Sequence, residues 1–271
     1  MGSEMCIRDS IYGAGRSEEV FGKALAENKG MRERMRIQTK CGIRDGYYDF
    51  SAAHILSSVD DSLRRLQAEY IDLLLLHRPD ALMDVEEVAD TLHQLQRTGK
   101  VRRFGVSNFT SAQIELLQSV CKVPIQVNQM QFGLMHAGMI QQGLEANMLT
   151  DGAASRDMAV LDYCRLHNIT IQAWSPLQYG FFEGSFIDNE KFPEVNDVLG
   201  RIAEERHVTK SAIAIAWILR HPAQMQVLAG TMNPEHLVQL CESVNIILSR
   251  KEWYELYRAA GYILSLIHIS E

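Results

Sequence analysis

The chain predicts a parallel α/β fold, and three observations carry that reading. Short apolar runs recur from residue 36 onward, each followed by a longer stretch with helical periodicity. Two of the runs, IDLLLL and GVSN, are apolar on both faces, as strands covered by helices on one side and neighbouring strands on the other must be. No Pro/Gly/Ser-rich linker or composition break divides the 271 residues. One repeating β/α pattern over about 250 residues favours a closed (β/α)8 barrel over two domains. Six strand runs can be counted, so a full barrel requires strands that would have preceded Ile11, and the barrel is expected to be incomplete at its N-terminus.

The strand candidates are MRIQTK at 35–40, IDLLLLH at 71–77, RRFGVSN at 102–108, IQVNQMQ at 125–131, ITIQAWSP at 169–176 and MQVLAGT at 225–231. Helices are predicted at 52–69, 85–98, 111–119, 155–167, 194–206, 211–220 and 234–243. Asp84 and Thr110 stand where a side-chain oxygen can accept from the first-turn amides of the second and third helices. Gly99 is a stop after Thr98. In Ser51 to Tyr70 the spacing of Ile55, Val59, Leu63 and Leu66 puts them on one face toward a sheet, leaving Arg64, Arg65 and Glu69 to solvent.

Composition narrows the function classes. The chain is 46% apolar and 23% charged with a net charge of −7, and it has no long basic run, which argues against a nucleic-acid or anionic-membrane partner. No stretch reaches the roughly 18 apolar residues of a membrane span, and no secretory h-region opens the chain, so a cytoplasmic location is expected. Cys6, Cys41, Cys121, Cys164 and Cys241 are widely spaced without a C-x-x-C, so neither a disulfide framework nor a metal site is expected. Small-molecule chemistry is what remains. G-x-S-x-G, H-E-x-x-H and P-loop motifs are missing, and GAG at 13–15 is not a dinucleotide fingerprint, because Glu18 stands where the third glycine would be and no strand precedes it.

The two ends read differently from the interior. GSEMCIRDS at 2–10 and LSLIHISE at 264–271 resemble translations, on opposite strands, of one sequencing-library adaptor. Residues 1–10 and 264–271 are therefore set aside as non-native, leaving 11–263 as the barrel domain.

Every strand candidate finishes in a polar or functional group: Lys40, His77, Ser107 with Asn108, Gln129, Ser175 and Thr231. In a barrel those carboxyl ends meet on the face where barrel active sites lie. Lys40 there could serve as a Schiff-base nucleophile or a fixed positive charge, and His77 as a hydrogen-bond donor to a carbonyl oxygen. A solvated lysine and a histidine satisfied by backbone are the alternatives for each residue alone.

At this point the sequence resembles the aldo-keto reductase family. IYGAGRSEEVFGKAL at 11–25, MRIQTKCGI at 35–43, IDLLLLHRPD at 71–80, VRRFGVSNF at 101–109, VNQMQF at 127–132, AWSPL at 173–177 and GTMNPEHL at 230–237 follow the family's motifs in order. The resemblance implies an NADP(H)-dependent oxidoreductase that reduces aldehydes or ketones to alcohols. Tyr12 would be the general acid, assisted by Lys40, whose charge offsets a phenol pKa of about 10, and by His77 on the same oxygen. By the same resemblance Ser107, Asn108 and Gln129 would hold the nicotinamide carboxamide, Trp174 would stack on the ring, and Ser175 and Leu177 would lie at the pyrophosphate. Thr231, Met232, Asn233 and His236 fall in the segment that grips the adenosine 2′-phosphate.

Two departures bear on this. The family's fourth catalytic residue, an aspartate five positions before the tyrosine, is Ile7 here, and Asp9 stands elsewhere in the alternation. In the phosphate segment Gly230 and His236 replace a lysine and an arginine, and a mostly neutral imidazole holds phosphate less firmly than a guanidinium. NADP(H) is expected over NAD(H) on balance. With its first strands missing, the chain itself is expected to turn over poorly. A cofactor-binding regulatory subunit without turnover is the rival from another class, and a Lys40 aldolase is the weaker third.

Overall fold

The run IDLLLL is buried at every position, and the chain around it alternates strand and helix as its periodicity predicts. The computed structural model describes residues 3–6, 15–180 and 183–264. The chain forms two compact units, Met1–Gln129 and Met130–Glu271.

In the first unit the elements run β1 (Ser3–Cys6), α1 (Arg16–Glu27), α2 (Met31–Arg34), β2 (Met35–Cys41), β3 (Ile43–Arg44), β4 (Tyr47–Tyr48), α3 (Ala52–Leu66), β5 (Ile71–Leu76), α4 (Val85–Arg97), β6 (Val101–Ser107), α5 (Ser111–Val120) and β7 (Ile125–Gln131). β3 and β4 make a small antiparallel hairpin. The others pair in parallel in the order β1-β2-β5-β6-β7. β1 lies within the stretch 1–10 and pairs with Met35 to Gln38.

Local chemistry sets these boundaries. The Asp84 side chain accepts from the Glu87 amide at 3.0 Å and opens α4. Thr110 and Gln113 form a reciprocal capping box on α5. Gly99 follows α4 at φ 74°, the left-handed geometry that glycine enters without Cβ strain. On α3, Ile55, Val59 and Leu66 are fully buried. Arg65 departs from expectation. It does not point to solvent: its Nε donates to Glu18 at 2.7 Å, and the Glu18 carboxylate is fully buried against it. The cause is the tight approach of α1 to α3, where a Cβ on Gly22 would lie 2.2 Å from the Arg65 carbonyl oxygen.

One polar residue interrupts the apolar β5. Asp72 is buried, pairs with Arg32 at 2.9 Å, and accepts the Ile37 amide at 2.9 Å. The guanidinium groups of Arg32 and Arg102 lie 3.9 and 3.5 Å from the Tyr70 ring centroid. This network sits at the amino ends of the strands and leaves their carboxyl ends for other work.

The second unit contains α6 (Gly138–Leu144), α7 (Val160–Leu166), β8 (Thr170–Trp174), α8 (Pro193–Arg206), α9 (Lys210–Leu219), β9 (Gln226–Val227), α10 (Pro234–Cys241) and α11 (Arg250–Ala259). β8 and β9 pair in parallel. α9 is apolar all round and buried from Ala212 to Ile218. Its Trp217 stacks on Trp253 at 4.7 Å between centroids, and each indole donates to the other's carbonyl, at 3.1 and 3.0 Å.

Three expected boundaries move in this unit. The helix expected at 155–167 starts at Val160, because Met158 and Ala159 adopt φ 59° and 56° and Asp157 takes the Val160 amide at 3.2 Å. The strand expected to 176 ends at Trp174, where Ser175 turns to φ 50°. The strand expected at 225–231 keeps ladder geometry only at Gln226 and Val227.

Two stability outcomes are expected. Asp84→Ala should lower the unfolding free energy by about 1 kcal/mol in urea titration, since α4 loses its cap. Gly22→Ala should cost more, roughly 1–3 kcal/mol, because its methyl meets backbone that cannot rotate away. An unshifted midpoint for Gly22→Ala would refute the close α1–α3 packing.

Candidate active site

In the first unit, strand alternation decides which groups meet. Ile37 of β2 packs on Leu25 and Leu66 from α1 and α3, so Ile37 and Thr39 face the helices and Lys40 faces the other way. On that other face Leu73 and Leu75 of β5 touch Val127 of β7. They meet across β6 because Gly105 stands between them. A Cβ there would lie 2.5 Å from a Leu75 methyl and 2.7 Å from the Val127 carbonyl oxygen.

The register carries this face to the carboxyl ends of the strands. Lys40 pairs with Leu75 and Ser107 pairs with Gln129. His77 continues the alternation of Leu73 and Leu75, and its amide donates to the Cys41 carbonyl at 2.9 Å. Lys40 Nζ donates to Gln129 Oε1. Ser107 Oγ donates to the Gln129 carbonyl at 3.1 Å, and Asn108 Nδ2 donates to Ser107 Oγ at 2.8 Å. Asn108 holds φ 59°, and its amide donates to the Gln129 carbonyl at 3.0 Å. A short amide side chain tolerates that left-handed geometry better than most. His77, Ser107 and Gln129 are buried, with Lys40 and Asn108 half-buried.

Five of the sequence-predicted residues, Lys40, His77, Ser107, Asn108 and Gln129, thus stand along one edge of one sheet. An ammonium, an imidazole, a hydroxyl and two amides on an apolar floor can hold and polarise a carbonyl-bearing molecule. Tyr12, Ile7 and Asp9 lie outside the described residues.

In the second unit the predicted residues form two local groups. Trp174 ends β8, and its carbonyl accepts the Phe132 amide at 3.4 Å. Ser175 follows at φ 50°, and the Leu177 carbonyl accepts from the Phe186 amide at 3.1 Å. All three are half-buried. A non-glycine residue held in that region costs about 1–3 kcal/mol, and such strain gathers at ligand-binding turns. The second group opens α10. The Asn233 amide donates to Thr231 Oγ1 at 3.1 Å, and Asn233 Oδ1 accepts from the Glu235 amide at 2.9 Å. Pro234 follows in the first turn. Met232 and His236 are exposed there. The positive end of the helix dipole and its free amides suit an anion.

Sequence reading did not single out Glu18 or Thr39. Glu18 Oε1 accepts from Thr39 Oγ1 at 2.6 Å while Oε2 takes Arg65. The available signal was Glu18 at the spacing of Gly22 and Leu25, the buried stripe of α1. Removing one partner of such a buried pair strands a charge, at roughly 3–5 kcal/mol.

Comparison with known proteins bears on family and fold. The model of the Aldo/keto reductase family matches residues 10–260. A 6-dehydroglucose reductase from Agrobacterium fabrum is 36% identical over 261 residues, covering 92% of this chain and 80% of its own length. Oxidoreductase YdhF of Escherichia coli is 34% identical over 262 residues, covering 93% and 81%. Among solved structures, an aldo-keto reductase from Klebsiella pneumoniae in complex with NADPH superposes with a TM-score of 0.73 at 25% identity, over 94% of this chain and 79% of that one. The fold is therefore the α/β class expected from the strand pattern. By motif order, family match and shared fold, the chain belongs to the Aldo/keto reductase family of oxidoreductases.

Proposed function

We propose that the chain reduces aldehydes or ketones to alcohols with NADP(H), with Tyr12 as general acid and Lys40 and His77 as its partners. The observation that carries the reading is the single edge on which the Lys40 ammonium, the Ser107 hydroxyl, the Gln129 amide and His77 stand. Solved relatives bound to NADPH and NADP support the cofactor.

The residues present fit that cofactor. A carboxamide needs both donors and acceptors, and Ser107, Asn108 and Gln129 supply hydroxyl and amide groups of both kinds. The half-buried indole of Trp174 suits a planar ring, and the turn of Ser175 and Leu177 suits a pyrophosphate. Thr231, Met232, Asn233 and His236 at the start of α10 suit a terminal phosphate. When bound, the reduced nicotinamide supplies hydride to the substrate carbonyl carbon.

The chain's own residues manage the proton. His77 donates a hydrogen bond to the carbonyl oxygen and fixes its direction. The Tyr12 hydroxyl passes its proton to that oxygen as alkoxide charge develops. Lys40 offsets the phenolate charge left behind, which brings the phenol toward a working range near neutrality. The apolar floor of Leu73, Leu75 and Val127 keeps the dielectric low, so each of these charges acts strongly.

NADPH oxidation with a simple aldehyde tests this directly. Lys40→Met and Tyr12→Phe should each lower kcat/KM by at least about 100-fold, while NADPH affinity stays within about threefold. Turnover that survives both changes would refute the assignment, and tight NADPH binding without wild-type turnover would favour a regulatory subunit instead.

His236→Arg should raise the preference for NADPH over NADH by about tenfold, or about 1.4 kcal/mol, as a bidentate cation replaces an imidazole. An unchanged cofactor ratio would move the phosphate site elsewhere.

A further inference from the structure

We propose that Glu18 is a positioning residue whose buried carboxylate, by holding Thr39 on the outer face of β2, fixes where the Lys40 ammonium stands on the inner face. The inference rests on the role given to Lys40 above.

Glu18 is fully buried in the first turn of α1, yet charge compensation alone would need only Arg65. Its second oxygen is spent on the Thr39 hydroxyl, at 2.6 Å. Thr39 and Lys40 are neighbours in β2 whose side chains leave opposite faces, and their Cα atoms are joined by one rigid peptide about 3.8 Å long. A hydrogen bond that fixes Thr39 from outside therefore limits the travel of Lys40 inside.

The anchor itself cannot recede. A Cβ on Gly22 would lie 2.2 Å from the Arg65 carbonyl oxygen, and one on Gly15 would lie 2.7 Å from Arg65 Cδ, so α1 is seated hard against α3 at the level of the carboxylate. α1 also begins at Arg16, four residues after Tyr12 in the chain. The carboxylate thus ties the helix that continues the Tyr12 segment to the strand that carries Lys40. An assisting cation needs placement to within about 0.5 Å, and the anchor acts on the strand that carries it. Asp72, another buried carboxylate of the same unit, instead meets Arg32 and the Ile37 amide near the amino ends of the strands.

The test uses Thr39→Val, which removes the hydroxyl and leaves Glu18 paired with Arg65, with Thr39→Ser as the rescue and Glu18→Gln as the second approach. Three readouts are taken: kcat and KM for an aldehyde, the alkaline limb of the kcat profile, and the pH midpoint of Lys40 acylation by acetic anhydride, followed by peptide mass spectrometry. Per folded molecule, Thr39→Val should lower kcat by about tenfold with KM unchanged, move the alkaline limb, and shift the Lys40 midpoint. Thr39→Ser should restore all three, and Glu18→Gln should act in the same direction as Thr39→Val.

A Thr39→Val protein with wild-type kcat, pH profile and Lys40 midpoint overturns the proposal. So does a loss of activity that follows only the folded fraction. A wild-type chain without turnover refutes the catalytic reading, but a shifted Lys40 midpoint in Thr39→Val would still establish the anchor. An unshifted one would remove both.

Discussion

Parallel register across β2, β5, β6 and β7 is the constraint on which the first unit's chemistry depends. Lys40 faces Leu75, Leu75 faces Gly105, Gly105 faces Val127, and Ser107 faces Gln129. A slip of one residue in β2 would exchange Lys40 with Thr39 and turn the ammonium toward the helices. Two features hold the register. The apolar contact of Leu73, Leu75 and Val127 has one seating, because the missing side chain of Gly105 is what lets its partners meet. On the outer face, Ile37 locks into Leu25 and Leu66. The polar edge is the end of an apolar surface rather than a separate construction.

Charge placement follows the same division. Asp72 toward the amino ends of the strands and Glu18 near the carboxyl end of β2 are both buried, and each is matched by arginine and by a further donor. Buried pairs of this kind add little net stability, because the desolvation of both charges offsets their attraction. Asp72 ties α2 to β5 through Arg32, and Glu18 ties α1 to α3 through Arg65. Helices and strands are thereby keyed by charge as well as by apolar surface.

The second unit places its predicted site residues through backbone conformation. Ser175 at the end of β8 takes left-handed geometry, as Asn108 does after β6 in the first unit. The Asn233 cap spends its own side chain on α10, which leaves the helix start ordered and Met232 and His236 exposed beside it. Strain at a strand end is tolerated where well-packed structure stands behind it, and the Trp217–Trp253 stack with its paired indole bonds is such packing within the unit.

Much of this was legible beforehand. Periodicity and turn residues located β2, β5, β6, β7, α3, α4, α5 and α9 to within a few residues, because their apolar spacing, the Asp84 and Thr110 caps and Gly99 are local signals. α11 carried such signals too, in the Ser249–Glu252 capping box and in the stripe of Trp253, Leu256 and Tyr257, and it lay outside the predicted helices. The sequence alone determined the order of the strands, the residue types at their carboxyl ends and, through seven ordered motifs, the family. Only the tertiary structure decided that Arg65 turns inward, that Glu18 divides its two oxygens between Arg65 and Thr39, and that Lys40 meets Gln129. Those contacts join residues 21 to 89 positions apart. Packing between elements sets such distances, and no local spacing encodes them.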